Sequence, residues 1–186
     1  QPIRQIQNLT NTYEGLIRRD FPEFDAKEFL QLAESVLLNI LNSLEEGRIH
    51  HEEHLTDSLK NTLHEQIRDL QSQKEKIYFD SIHIHKSAIS RYTKNAGSRV
   101  ISVEIAIEYA TRKEKEQKRV QYKYILEAIY VQDLSKVGNL SMVGHHCPNC
   151  GAPVIELGKN KLCRYCGAGL TEINMRIWRF NSYKKA

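Results

Sequence analysis

In the stretch Ile101-Ser102-Val103-Glu104-Ile105-Ala106-Ile107-Glu108-Tyr109-Ala110, five apolar residues at odd positions alternate with Ser102, Glu104, Ala106, Glu108 and Ala110. Successive side chains of a strand point to opposite faces. The period of two therefore predicts a strand with one buried face and one solvent face. Val120, Tyr122, Tyr124, Leu126, Ala128 and Tyr130 repeat the pattern and predict its partner. The charged run 112–119 joins the two as a solvated hairpin tip. Upstream, Ile82 and Ile84 alternate with His83 and His85, and Asn95-Ala96-Gly97-Ser98 supplies the turn into the next strand. Downstream, Ile173, Met175 and Ile177, with Trp178 and Phe180 on the other face, predict a fourth strand.

Before these strands the period is helical. Tyr13, Leu16 and Ile17 predict a short amphipathic helix ending near Asp20, because a proline disfavours helix in the residue before it and Phe21 precedes Pro22. Asp25 with Glu28 three residues on has the form of a capping box. Phe29, Leu32, Ala33, Val36, Leu37, Ile40, Leu41 and Leu44 then line one helical face, which stops near Gly47. Leu55, Leu59, Leu63, Ile67 and Leu70 mark another helix, starting near Thr56 or Asp57. Helices followed by an antiparallel sheet make an α+β layout, with the helices covering one face of a curved sheet.

The 186 residues suffice for one ordinary domain plus a small module. With 40% apolar and 27% charged residues the composition is that of a globular protein, and no apolar run approaches the roughly 18 residues that span a bilayer. All four cysteines fall in two CxxC pairs, leaving none for disulfides.

Those pairs are Cys147-Pro148-Asn149-Cys150-Gly151 and Cys163-Arg164-Tyr165-Cys166-Gly167. Each CxxCG predicts a knuckle in which backbone amides point at the sulfurs and the glycine reverses the chain with positive φ. Two knuckles bring Cys147, Cys150, Cys163 and Cys166 into a soft tetrahedral set suited to Zn2+, with iron as the minor alternative. Four protein thiolates leave no open position for water, so the expected zinc is structural. Four thiolates and one Zn2+ sum to −2, which lowers the formal charge of +4 to about +2. Between residues 141 and 171, Lys159, Lys161 and Arg164 stand against Glu156 and the charged site, a neutral balance that argues against a nucleic-acid partner.

Residues Ile17-Arg18-Arg19-Asp20-Phe21-Pro22-Glu23-Phe24-Asp25, then Glu28-Phe29-Leu30, resemble the opening of the domain found in the mitochondrial inner-membrane import translocase subunit 44. Some bacterial relatives of that domain carry a CPNCGAP…CxYCG zinc ribbon before a last strand containing tryptophan. Here Cys147 to Pro153, Cys163 to Gly167 and Trp178 fill those places. The third strand departs from the pattern, with Tyr124, Leu126 and Tyr130 where the family often has a tryptophan or phenylalanine followed by a basic residue. The resemblance implies a cone-like fold similar to nuclear transport factor 2, divided into 10–137, an inserted ribbon at 138–171, and a last strand at 172–186. It also implies a non-enzymatic role with a protein partner or a membrane surface, and a domain lying in the cytoplasm downstream of a membrane segment outside this chain.

Other candidates have plainer readings. His50, His51 and His54 could set two imidazoles on one helical face, or simply form a solvated helix start. His83 and His85 share a strand face expected to meet solvent, and His145 and His146 abut a site that needs no further ligand. Glu104 and Glu108 could do acid–base work if their face lined a pocket; the alternation instead directs them to solvent. Tyr122, Tyr124 and Tyr130 are expected as core or pocket wall. With no catalytic motif among them, the expected function is a binding domain. The alternatives are a small-molecule enzyme or ligand-binding protein using the cone pocket, and a nucleic-acid-binding ribbon protein.

Overall fold

The computed structural model describes residues 5–95, 98–113, 116–131, 150–152, 165–167 and 178–186. Among these, helices α1 (Thr10–Asp20), α2 (Ala26–Glu46) and α3 (Asp57–Ser72) precede strands β1 (Phe79–Asn95), β2 (Ser98–Lys113), β3 (Glu116–Val131) and β4 (Arg179–Lys185). The strands form one antiparallel sheet in the order β1-β2-β3-β4. The protein is α+β.

The local signals act where the sequence puts them. Asp25 is the N-cap of α2, its carboxylate accepting from the Glu28 amide at 2.9 Å, and Gly47 ends that helix in the left-handed region at φ 76°. Thr56 caps α3 by accepting from the Leu59 amide. α1 ends at Asp20 with Phe21 as its C-cap, before Pro22.

The helices pack on one face of the sheet. Phe29, Val36, Leu37, Ile40 and Leu41 of α2 and Leu59 and Leu63 of α3 are buried with Ile101, Val103, Ile105, Ile107 and Tyr109 of β2 and Tyr124, Leu126 and Ala128 of β3. Phe21, Phe24 and Phe29 surround Trp178 at ring separations of 5.2, 6.4 and 5.9 Å. The Asp20-Phe21-Pro22-Glu23-Phe24 segment thus closes one end of the sheet. Register shifts at three places in β1 bend that strand.

Three expectations need correcting. β2 is buried on both faces, since Ser102, Ala106 and Ala110 are buried as well as the odd-numbered apolar row. A central strand has neighbours on each side, and their long side chains cover its outer face. The hairpin tip is shorter than the charged run, because Lys113 still pairs with Glu116. The segment holding His50, His51 and His54 is a loop between α2 and α3 and not a helix start. β4 is described over Arg179–Lys185 with Phe180 fully buried, and Ile173, Met175 and Ile177 lie outside the described residues.

Among the described residues no helix is long and apolar enough to cross a membrane.

Candidate functional site

At the end of the sheet next to the β2–β3 tip lies a cavity of about 1150 Å³. Its walls come from distant parts of the chain. Leu44 ends α2, Gln66 lies on α3, and 74–79 lead from α3 into β1; Tyr109, Tyr122, Tyr124 and Tyr183 come from β2, β3 and β4. Antiparallel register sets Tyr122 across from Ile107, Tyr124 across from Ile105, and Leu126 across from Tyr183, so their side chains share the helix-facing side of the sheet.

The tyrosine hydroxyls are ordered by one another and by α3. Those of Tyr109 and Tyr124 are 3.0 Å apart, and that of Tyr183 donates to Gln66 Oε1. Burial is the main cause that raises all three above the ordinary tyrosine range, Tyr183 to about 12. They stay protonated at neutral pH and act as hydrogen-bond donors, not as bases.

The rim is basic. Among the described residues, Lys74, Lys76, Arg112, Lys184 and Lys185 line the cavity against one carboxylate, Glu75, which is exposed. Lys185 Nζ lies 4.0 Å over the Tyr122 ring and the Arg112 guanidinium 4.6 Å over that of Tyr78. Lys74 closes α3 with φ 53°, the left-handed region where glycine is the default. The Glu75 and Lys74 amides return to the Leu70 and Gln71 carbonyls, the two bonds of a Schellman motif.

Glu104 and Glu108 are not part of this cavity. Glu104 is 7% exposed rather than solvent-facing, and it pairs with Lys123 at 3.6 Å and accepts from the Gln7 amide. The chain before α1 passes round the edge of β1, where the Leu9 amide bonds Ile89 at 3.0 Å, and reaches this outer face. Glu108 lies between Arg119 at 2.9 Å and His85 at 3.3 Å, and the hydrogen bond from Arg119 holds its carboxyl below the usual range. His83 is exposed, as expected, whereas His85 is half-buried against Glu108. Neither carboxylate is beside a tyrosine hydroxyl.

The loop between α2 and α3 is tied down by one imidazole and by backbone groups. His50 pairs with Glu46, and the His54 carbonyl accepts from the Phe180 amide at 2.7 Å. Tyr130 packs at 4.8 Å on Phe21 and serves as wall, as expected. His145 and His146 lie outside the described residues.

Of the four cysteines, Cys150 and Cys166 are described and exposed, while Cys147 and Cys163 lie outside the described residues. Gly151 and Gly167 follow the two described cysteines with φ of 72° and 71°. Among the described residues a Cβ at either glycine would meet nothing within 4 Å, and the positive φ alone already favours glycine there. Two matching left-handed glycines are what paired thiolate knuckles need, and the donor chemistry fits zinc. Val131 ends β3 and Trp178 precedes β4, and Ile129 pairs with Arg179. The described residues on either side, Val131 and Arg179, thus belong to neighbouring strands, with Val131 about 23 Å along β3 from Tyr124.

The cavity is not legible in the sequence because its tyrosines follow the same alternation as core residues. A readable trace was the concentration of Tyr109, Tyr122, Tyr124 and Tyr183 on strands near Lys184 and Lys185.

A scan of the chain against protein-family models matches none of them, and no curated protein matches it.

Proposed function

We propose that this chain is a non-enzymatic binding domain whose ligand or partner group enters the tyrosine-walled cavity, with a structural zinc held by Cys147, Cys150, Cys163 and Cys166. One observation carries the reading: the described lining is donors and cations without a buried base. General acid–base work near neutral pH needs a positioned group that titrates there. The described lining has no histidine or cysteine, its one carboxylate is exposed, and burial keeps Tyr109, Tyr124 and Tyr183 protonated. Neutral hydroxyl donors beside aromatic faces and cations suit recognition. The import-translocase resemblance supports the same class of role, with a protein or a membrane surface bringing the group that enters.

The zinc supplies folding free energy to its own segment when bound, on the order of 10 kcal/mol for such sites. In this chain Gly151 and Gly167 let the backbone turn under the thiolates of Cys150 and Cys166. Elemental analysis should find about one zinc per chain, and Cys150→Ser should reduce it sharply. Metal content unchanged by that substitution would reject the site. Replacing 138–171 by a short turn should leave a cooperatively folding domain; an unfolded product would show that the segment belongs to the main core. For the cavity, liposome flotation and crosslinking pull-down should give binding that Lys184→Gln with Lys185→Gln weakens. Binding indifferent to those changes would reject the cavity as its seat.

A further inference from the structure

We infer that the cavity recognises a small aromatic anion, a planar ring system bearing a carboxylate- or sulfonate-type group. This rests on the binding reading above and names the chemical class of the ligand.

Charge complementarity comes first. Among the described residues, five cations line the rim against one carboxylate. Among the described residues none of Lys74, Lys76, Arg112, Lys184 and Lys185 makes an ion pair with a carboxylate, although nine other basic residues do. Lys185 and Arg112 are instead held over tyrosine faces, which fixes their position without neutralising them. An anion entering here meets preplaced charge, and charge-assisted hydrogen bonds are the stronger kind.

The walls select the body of the ligand. Phe79, Tyr109 and Tyr122 form a row with ring separations of 5.1 and 5.5 Å, and Tyr124 and Tyr183 stack at 6.4 Å. Aromatic walls favour a ring that adds edge or offset contacts. An alkyl chain would bury the tyrosine hydroxyls against groups that cannot bond them. The Tyr109–Tyr124 pair makes this specific. Two hydroxyls 3.0 Å apart share one proton between them, so whichever donates, the other keeps an O–H for an acceptor in the cavity.

Lys74 adds to the case. Its left-handed backbone would be easier for glycine, yet a lysine stands there on the cavity rim.

The test uses the full zinc-loaded chain and two fluorescent probes with the same rings. 8-Anilinonaphthalene-1-sulfonate carries the anion and N-phenyl-1-naphthylamine does not. The sulfonate should bind one per chain, about tenfold or more tighter than the neutral probe. Lys184→Gln with Lys185→Gln should remove most of that difference. Tyr124→Phe should weaken the sulfonate several-fold with the far-ultraviolet spectrum unchanged. Leu44→Trp, which narrows the cavity, should weaken both probes. Should Leu44→Trp not fold, the exposed lysine variants still decide the matter. Equal affinity for the two probes, or a difference that survives with Lys74 and Lys76 also changed to glutamine, would overturn the inference while leaving a binding cavity. Tighter binding of dodecanoate than of the sulfonate would overturn the aromatic class. Failure of every probe to bind would overturn the binding reading itself.

Discussion

Asp20 is the last residue of α1, and groups from β1 and β2 converge on its carboxylate. Lys94 Nζ and the Tyr92 hydroxyl each lie 2.6 Å from Oδ2, with Arg99 farther off at 3.9 Å. The Lys94 hydrogen bond is the largest cause holding the carboxyl below the usual aspartate range, with Tyr92 next and burial opposing. A depressed folded value contributes stability that is fully present above the unfolded pKa, about 3.9, and is lost as pH falls through the folded one. Asp20→Asn should therefore lower the urea midpoint at pH 7, and the gap from the parent should close below about pH 4. A gap constant from pH 7 to pH 3 would show that the charge plays no part. Asp20 also shows what a linear pattern conceals: its partners are 72 or more residues away in the chain. The same holds for Glu104, whose alternation with isoleucines placed it on the correct face. That face is buried because Lys123 and the Gln7 segment cover it, which no periodicity within β2 records.

At the scale of elements, the helices were legible because their ends are chemical. Asp25, Thr56 and Gly47 each answer a specific backbone demand at a helix terminus, so their positions are decided locally. The loop at 48–56 was not, since His50, His51 and His54 fit a helix start, and what holds the segment out of a helix is distant: the bridge of Leu55 with Phe180 and the Asn39 side chain on the His51 carbonyl. The end of α3 carries a testable conflict between stability and binding. Lys74 occupies the Schellman position with φ 53°. Lys74→Gly should stabilise the domain by about 0.5 to 1 kcal/mol in denaturant unfolding, since an L-residue there costs more than glycine. The same change should weaken the anilinonaphthalenesulfonate complex, because it removes a rim cation. A variant both more stable and equally tight would mean that Lys74 is not retained for the cavity.

On the scale of the whole molecule, the sheet order followed from successive period-two segments, whereas the cavity did not. Leu44, Gln66, Tyr109 and Lys185 meet only after the sheet has bent and α3 has docked on β4. An open four-stranded sheet also has two outer strands, β1 and β4, each with a row of outward amides and carbonyls. On β1, the Ile89 carbonyl accepts from the Leu9 amide and its own amide donates to Thr10 Oγ1, both at 3.0 Å. On β4, the Phe180 amide and carbonyl are bonded by His54 and Thr56 in a single parallel bridge. Each outer strand is thus stoppered at one fully buried apolar residue. Unpaired edges recruit other chains and seed aggregation, so these two contacts act as guards against self-association. Removing residues 1–9 frees the Ile89 carbonyl and should produce light scattering that grows with protein concentration, while the circular dichroism of fresh dilute samples stays that of the parent. A truncated chain that stayed monodisperse at high concentration would place the guard elsewhere, in the bends of β1 that turn its edge away from a flat neighbour.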